Sequence, residues 1–306
     1  MTRRATFRYL IEHAAAMAAL LAIQSMPLRF ALRTGETIGW GAWFFARKRR
    51  RRAVENLLHS YPDMSRRTAE KIARDVFIHF GRAMAETAVA HRFMRPSNYR
   101  RHVVIQNEET FKRLIAEDRG AIIVGAHLGA WELFGMVLSH LGAPPHVAYR
   151  RMNNPFMDRF LRKRRARFGQ TMIERTGALR PLLRILRKRG YTVFLVDQHL
   201  RRNWLWVPFF GRPASTTPGP AMLALATGAP LICMCNVRLP GVYRFELAFS
   251  DPIRPVSTGD RRADVQRITE EISRTLEEFV RKTPNQWLWM HKRWRKPPPE
   301  AAAEGE

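Results

Sequence analysis

The alternation of strand-type and helix-type segments most limits how this chain can fold. From residue 103 onward, short apolar runs alternate with stretches of helical periodicity. The predicted strands are 103–106, 121–126, 146–150, 192–197, 230–237 and 243–249. The predicted helices between and after them are 108–117, 130–141, 155–168, 178–189, 218–228 and 261–282. This order predicts an α/β fold with a mixed, mainly parallel sheet flanked by helices.

The N-terminal region has a different composition and is predicted to dock on a membrane. Residues 14–23 are apolar but shorter than the roughly 20 residues of a comfortable membrane span. The aromatic-rich run 37–46 precedes six consecutive bases at 47–52, an order that suits the headgroup level of an anionic membrane. We expect residues 5–46 to lie on the membrane or to form a short tilted span. Two ordinary buried helices followed by a solvated basic loop are the alternative.

Three regions follow from these patterns. They are an N-terminal membrane-associated helical segment (residues 1–52), a main domain (residues 53–296) and a low-complexity tail (residues 297–306). Residues 53–95 are predicted to be helical, with Ser65 as an N-cap. The proline-rich and acidic composition of the tail predicts disorder.

The charge balance points to an anionic partner. Lys and Arg number 53 against 26 Asp and Glu, a formal net charge of +27. Candidate partners are nucleic acid, an anionic membrane, a phosphorylated substrate and an acidic carrier protein. Arginine dominates the helices 155–168 and 178–189, which favours bidentate contact with phosphate, although solvated helix faces are the alternative. The bases are scattered and the sequence lacks a nucleic-acid-binding signature, so we expect no nucleic acid.

No cofactor is expected from the motifs. The sequence contains no phosphate-binding GxxxxGK, no dinucleotide GxGxxG and no pair of CxxC motifs. Its two cysteines, Cys233 and Cys235, fall on one face of a predicted strand without metal-ligand spacing. They are predicted to be core residues of a protein in a reducing compartment. We therefore predict neither a metal nor a nucleotide cofactor.

His127 and Glu132 are the candidate catalytic pair. Both follow the predicted strand 121–126, at the carboxyl edge of the sheet where α/β proteins bind ligands. A turn there could fold Glu132 toward the imidazole, fixing its tautomer and stabilising the imidazolium while the other nitrogen takes a proton from a hydroxyl. In the alternative, His127 caps a helix and Glu132 is a solvated acid of its first turn.

Five sequence blocks occur in order over roughly residues 30–296 and resemble one family. They are 126–132, Tyr149-Arg150 with Asn154-Pro155, Asp197-Gln198, 207–211, and 284–289 with 291–294. A weaker block lies at 55–57. Together they resemble the lipid A biosynthesis lauroyl/myristoyl (late) acyltransferases, within the lysophospholipid acyltransferase-like superfamily.

The resemblance implies an enzyme at the cytoplasmic face of the bacterial inner membrane. Such an enzyme transfers a fatty acyl chain from an acyl carrier protein thioester to a hydroxyl of a phosphorylated glycolipid, such as a lipid A precursor. Residues 53–296 would then be the acyltransferase domain. Two alternatives remain. The acceptor could be another lipid, such as a phosphatidylinositol mannoside or an ornithine-type lipid, or the protein could be a non-catalytic membrane or nucleic-acid binder.

The resemblance also implies roles for individual residues. His127 would be the base and Glu132 its supporting acid. An arginine eleven positions beyond Asn154 is functional in the family, which indicates Arg165, with Arg164 one register away.

Three further residues are implied as substrate-binding, namely Asp197, Tyr149 and Arg150. The chain departs from the family pattern at His199, where an acid is common, so that position has no predicted role and the acceptor could differ.

Two features of the reaction need further groups. The oxyanion could be stabilised by backbone N–H groups near Ala130 or by Arg165. The acyl chain needs an apolar groove, and residues 207–210 could line it. The alternative is that these residues simply pack in the core. Trp287, Trp289 and Trp294 could anchor the protein at the membrane interface or simply pack the last helix.

Overall fold

Four helices precede the first strand. The computed structural model describes residues 3–200 and 204–294, so the tail predicted at 297–306 lies outside the described residues. The helices are α1 (Arg3–Ser25), α2 (Leu28–Phe45), α3 (Arg47–Ser60) and α4 (Arg66–Phe93). The hydroxyl of Ser65 accepts a hydrogen bond from the Thr68 amide, which confirms the predicted N-cap. The six bases at 47–52 begin α3 rather than forming a loop.

Helix α2 is fixed on α4 by close backbone contact. A Cβ at Gly39 would lie 2.3 Å from the Phe77 carbonyl oxygen, and one at Gly81 would lie 2.2 Å from the Gly35 carbonyl oxygen. Glycine is therefore required where these helices cross. The opposite face of α2 stays exposed, including Phe45 at 89%.

Helix α1 leaves much of its apolar surface uncovered. The stretch Thr6–Ser25 is long and apolar enough to cross a membrane, and none of it is buried inside the protein. It still contacts the main domain: the side-chain amide of Asn154 donates to the Tyr9 carbonyl, and that of Gln24 donates to the Ala88 carbonyl. The exposed apolar faces of α1 and α2 do not fit the alternative of two ordinary buried helices.

Seven strands form the main sheet. They are β1 (Val103–Gln106), β2 (Ala121–Gly129), β3 (Pro145–Tyr149), β4 (Thr171–Glu174), β5 (Tyr191–Leu195), β8 (Leu231–Arg238) and β9 (Phe245–Phe249), in the spatial order β1-β9-β8-β2-β5-β3-β4. Strand β9 runs antiparallel to β8, and β1 runs parallel to β9. The pairings of β8, β2, β5, β3 and β4 with one another are all parallel. The predicted mixed, mainly parallel α/β sheet is confirmed.

Two strands form a separate antiparallel hairpin. They are β6 (Leu205–Phe209) and β7 (Arg212–Thr216). Neither these strands nor the short edge strand β4 was predicted. Strand β4 has only two apolar residues among its four, so its sequence carries too weak a pattern to indicate a strand.

Helices cover both faces of the sheet. They are α5 (Glu108–Ala116), α6 (Phe134–His140), α7 (Pro155–Ala166), α8 (Leu179–Arg187), α9 (Gly219–Thr227) and α10 (Arg261–Lys282), with 3₁₀ helices at Tyr99–Arg101, Trp131–Leu133 and Pro284–Gln286. The six predicted helices match within a few residues, except that the segment predicted as one helix at 130–141 begins as 3₁₀.

Strand β2 contributes to both hydrophobic cores. Ile122 and Val124 face the core beneath α3, α8, α9 and α10, and Ile123 faces the core beneath α5 and α6. Cys233 and Cys235 are free and buried in the first core, which confirms their prediction as core residues.

The same core contains the aromatic residues of the hairpin and the C-terminal segment. Phe209 and Trp287 are buried, with ring centroids 5.3 Å apart, and Trp289 is fully buried. Core packing is therefore the correct alternative for Val207, Phe209 and Phe210, whereas Pro208 is exposed. Trp287 and Trp289 are core residues, so of the two alternatives for them the membrane-interface anchor is wrong.

Candidate active site

The pairing of β2 with β5 brings His127 beside Asp197. Gly125 pairs with Leu195 in this parallel ladder, and His127 and Asp197 each lie two positions further along. The carboxyl ends of parallel strands meet at one edge of the sheet, so both side chains reach the position where α/β proteins bind ligands.

Asp197 is a buried carboxylate that accepts three hydrogen bonds. Its Oδ1 accepts from the His127 Nδ1 at 2.7 Å. Its Oδ2 accepts from the His127 backbone amide at 2.8 Å and from the Trp287 indole N–H at 2.9 Å. Burial by itself would raise the pKa of Asp197, but the charge and hydrogen bonds of His127, with that of Trp287, lower it to about 2. Asp197 is therefore ionised at neutral pH.

The imidazole of His127 keeps one basic nitrogen for chemistry. Because Nδ1 donates its proton to Asp197, Nε2 carries the lone pair, and the side-chain amide of Gln198 lies 3.3 Å from it as a donor. Burial would lower the pKa of His127, but Asp197 and, to a smaller extent, Glu132 raise it above the ordinary value of 6.5. The His127 side chain as a whole is 19% exposed, so the imidazole is not sealed off from the surface.

Glu132 does not hold the imidazole as predicted. Both of its carboxylate oxygens accept from one guanidinium nitrogen of Arg165, each at 2.8 Å. Asp197 provides the contact to Nδ1 that was expected of Glu132, because the parallel register places Asp197 beside the ring. Glu132 lies in the 3₁₀ helix Trp131–Leu133, which follows strand β2. From there it raises the pKa of His127 through its charge alone.

The turn between His127 and Glu132 is held by Asn236 of the neighbouring strand β8. Gly129 has a positive φ of 62°, and a Cβ there would lie 1.9 Å from the Asn236 carbonyl oxygen. The Ala130 amide donates to that same oxygen at 2.7 Å, and the Asn236 side-chain amide donates to the Ala130 carbonyl at 3.1 Å. The Ala130 N–H itself is therefore occupied, so an oxyanion donor near this turn would have to be a neighbouring backbone N–H or Arg165.

A buried network supports this turn from α4. The His79 Nε2 donates to the Gly129 carbonyl at 3.2 Å, and Arg238 donates to the His79 Nδ1 at 2.6 Å. Arg238 also forms two 2.6 Å contacts with the fully buried Glu86. Burial, and then the charge of Arg238, lower the pKa of His79, which keeps this histidine neutral. Sequence reasoning missed His79, because nothing local to α4 shows which turn the residue contacts.

Of the two arginines predicted to bind substrate, Arg165 lies in the His127 site and Arg164 lies outside it. Arg165 is only 18% exposed and faces Glu132, so the structure brings it into the His127 site. Arg164 instead donates to the carbonyls of Thr87 and Ala88 at the end of α4, and burial lowers its pKa. These contacts tie α7 to α4.

Tyr149 and Arg150 lie at the same edge of the sheet, two strands from β2. The Tyr149 hydroxyl donates to the Asp158 carboxylate at 3.2 Å. Arg150 is exposed and lines a surface cleft with residues of α1 such as Tyr9 and Glu12. Neither residue is part of the His127–Asp197 contact set.

His291 is a neighbour of the site that sequence reasoning did not single out. Its Nε2 accepts from the His199 backbone amide at 3.0 Å, and the His199 ring contacts the Ser215 hydroxyl at 3.1 Å. Burial lowers the pKa of His291 to about 4, although the nearby Asp197 opposes this effect. The available signal was its position in the last sequence block, 291–294.

Comparison with known proteins decides the family. The family model described as bacterial lipid A biosynthesis acyltransferase matches residues 1–296. The chain belongs to the bacterial lipid A biosynthesis acyltransferase family. The family predicted from the five sequence blocks is thereby confirmed.

Named lipid A acyltransferases align with most of this chain. The lipid A biosynthesis palmitoleoyltransferase of Escherichia coli K12 is 28% identical over 266 residues, covering 86% of this chain and 84% of the relative. The lauroyltransferase of the same organism is 26% identical over 283 residues, covering 90% and 89%. A solved 1-acyl-sn-glycerophosphate acyltransferase, PlsC from Thermotoga maritima, has 16% identity and a TM-score of 0.36, covering 88% of this chain and 98% of that structure.

Proposed function

We propose that this protein transfers a fatty acyl group from an acyl carrier protein thioester to a hydroxyl of a lipid A precursor. The observation that carries the proposal is the His127–Asp197 pair. A buried, ionised carboxylate fixes the Nδ1–H tautomer, and the remaining nitrogen is basic, on a ring that is not sealed off from the surface. A general base with this arrangement is what acyl transfer to a hydroxyl requires.

The proposed reaction begins when the acceptor hydroxyl replaces Gln198 at the His127 Nε2. As the hydroxyl oxygen attacks the thioester carbonyl, Nε2 takes its proton, and Asp197 stabilises the imidazolium. The tetrahedral intermediate then collapses, the carbon–sulfur bond breaks, and the imidazolium returns the proton to the departing thiolate. An ester and a free carrier thiol are the products, and His127 is again neutral.

Arg165 and Glu132 complete the proposed site. Arg165 lies within the site as a fixed cation, because Glu132 holds its guanidinium at 2.8 Å. A fixed positive group beside the reacting carbonyl stabilises negative charge as it develops on oxygen. In the proposal, Glu132 orients Arg165 and raises the basicity of His127 through its charge, rather than holding the imidazole.

The exposed apolar residues of α1 and α2 support a membrane location. Phe7, Leu21, Phe30, Ile38 and Phe45 are each more than 60% exposed. Single exposed apolar residues are common, but a group confined to two adjoining helices is typical of a membrane-interaction surface. We propose that this surface docks on the cytoplasmic face of the inner membrane, where the net positive charge of the chain favours contact with anionic headgroups.

Mass spectrometry of membrane lipids, with and without the gene, tests the proposed function. We expect lipid A from the deletion strain to lack one ester-linked acyl chain, and its mass difference gives the chain length. The relatives are named for different acyl groups, so the length has to be measured. Loss of an acyl chain from another lipid would contradict the proposed acceptor, and unchanged lipids would contradict acyl transfer.

A further inference from the structure

A basic cleft of about 850 Å³ lies outside the His127 site. It is formed where the end of α2, the first turns of α3 and the start of α4 meet the C-terminal segment, and we call it the α3 cleft. Seven basic side chains and two carboxylates line it. Nothing in the proposed reaction uses this concentration of positive charge.

The two carboxylates of the α3 cleft are already engaged. Glu55 lies 3.3 Å from Arg51, and Glu70 lies 3.1 Å from Arg66, each one helical turn apart on its own helix. These exposed pairs are weak, but each carboxylate is closest to one base of its own helix. Three of the remaining cleft bases must therefore find their counter-charge elsewhere.

Arg47, Lys48 and Arg50 are the bases concerned. Among residues 3–200 and 204–294, no carboxylate lies within ion-pair distance of any of the three, and Arg50 instead stacks on the Trp43 ring at 5.2 Å. They occupy the first turn of α3, where the helix dipole makes cations unfavourable. A bound anion would relieve both the mutual repulsion and the dipole effect.

The α3 cleft adjoins both the exposed apolar surface and the segment beside the candidate active site. It is lined by Trp43, two positions before the 89% exposed Phe45. It is also lined by Lys292, which directly follows His291, and His291 is close enough to Asp197 and His127 to interact with their charges. The Asn56 side chain fixes that segment by donating to the His291 carbonyl at 3.1 Å.

We propose that the α3 cleft binds a phosphate group of the lipid acceptor while the acceptor hydroxyl lies at His127. This inference rests on the proposed function. Arginines are suited to bidentate recognition of phosphate. A phosphorylated lipid also fits the apolar surface of α2 and the basic cleft that adjoins it. Its acyl chains would lie at the aromatic residues of α2, and its phosphate would lie in the cleft next to them. An acidic protein surface would account for the charge but not for the adjoining apolar face.

A binding experiment tests the α3 cleft without requiring activity. The probe is a bis-phosphorylated glucosamine disaccharide without acyl chains, compared with the same disaccharide lacking phosphate. A ligand that binds the folded state raises the melting temperature. We expect the phosphorylated probe to raise the Tm of wild type and to have no effect on R47Q/K48Q/R50Q.

The matched control removes the same charges from a neighbouring surface. R67Q/K71Q/R74Q also replaces two arginines and one lysine, all exposed on α4 and outside the cleft lining. We expect it to respond to the probe as wild type does. An equal loss of response in both triple variants would overturn the proposal, because it would show only a general charge effect. No response in wild type would overturn it as well, while leaving acyl transfer itself untouched.

Steady-state kinetics then identify what the cleft binds. In detergent solution, we expect R47Q/K48Q/R50Q to raise the KM for the phosphorylated acceptor about tenfold or more, with kcat and the donor KM unchanged. With a dephosphorylated acceptor, the variant and wild type should be equal. A raised donor KM would instead show that the carrier protein docks there. Loss of vesicle binding with an unchanged acceptor KM would show a site for membrane headgroups. Either result overturns the proposal.

Discussion

His127 donates both its ring Nδ1–H and its backbone N–H to the carboxylate of Asp197, at 2.7 and 2.8 Å. Two contacts from one residue fix the ring and its strand relative to the same anion. The Trp287 indole supplies a third donor at 2.9 Å, so the buried charge is well satisfied. This arrangement assigns the orienting role to Asp197 and leaves Glu132 to position Arg165.

Replacing Asp197 should therefore impair catalysis severely. For Asp197→Asn we expect kcat to fall on the order of 10³- to 10⁴-fold, because the tautomer and the imidazolium lose their support. His127 must be neutral to act as a base, so the wild-type rate should fall as pH drops through its raised pKa. Removing the carboxylate should move this acidic limb to lower pH. A kcat/KM profile against pH measures both effects, and an unmoved limb would contradict the assignment.

Glu132→Gln should have a different signature. The variant loses the anion that holds Arg165 but keeps the Asp197 contact to the ring. We expect a fall in kcat of about 10²-fold and a smaller displacement of the acidic limb than in Asp197→Asn. The two pH–rate profiles should be measured side by side. If Glu132→Gln displaced the limb further than Asp197→Asn, Glu132 would be the main partner of the imidazole.

The sequence predicted both strands that carry His127 and Asp197 but not the adjacency of these strands. The segments 121–126 and 192–197 were each recognised from their apolar runs, and they form β2 and β5. Strand order depends on long-range packing, so no local pattern shows that β5 lies directly beside β2. The spacing of His127 and Glu132 within one motif therefore suggested a direct contact, whereas the actual partner lies 70 positions away.

In the N-terminal region, too, the sequence predicted the character of the segment but not its packing. Composition predicted an apolar, aromatic and basic segment, and α1 and α2 do expose apolar faces. The tight crossing of α2 on α4 was not predicted, because it depends on glycines that meet from distant parts of the chain. The tryptophans of the last block kept two alternatives, a membrane anchor or packing within the fold, since composition alone does not distinguish a buried tryptophan from an interfacial one.

Gly129→Ala should destabilise the fold through the turn between His127 and Glu132. An alanine there needs a left-handed conformation, and its Cβ would overlap the Asn236 carbonyl oxygen at 1.9 Å. We expect a loss of about 3 kcal/mol or more in the free energy of unfolding. Gly142→Ala is the control, since its φ is also positive, at 87°, but its Cβ meets nothing within 4 Å. Denaturant unfolding should give roughly 1–2 kcal/mol for the control, and equal losses would show that the Asn236 contact is unimportant.

Membrane docking should depend on the exposed face of α2. For Phe45→Glu we expect vesicle binding to weaken by at least about tenfold, because a charge replaces an 89% exposed aromatic ring at the apolar surface. Val256→Glu is the control, at a 58% exposed apolar residue outside α1 and α2. Binding to anionic vesicles should also fall as salt rises. Co-sedimentation measures both effects, and binding that is insensitive to the α2 variant and to salt would contradict docking through this surface.

Acyl transfer by the purified protein tests the central claim most directly. The assay compares wild type with His127→Ala and with the surface control His59→Ala. Each protein is incubated with acyl carrier protein thioesters and a phosphorylated lipid A precursor, and the masses of the products are measured by mass spectrometry. We expect wild type and His59→Ala to add one ester-linked acyl chain, and His127→Ala to be slower by about 10²-fold or more while remaining folded by circular dichroism. Transfer by His127→Ala at the wild-type rate, or no transfer by wild type from any carrier-bound donor, would contradict the account.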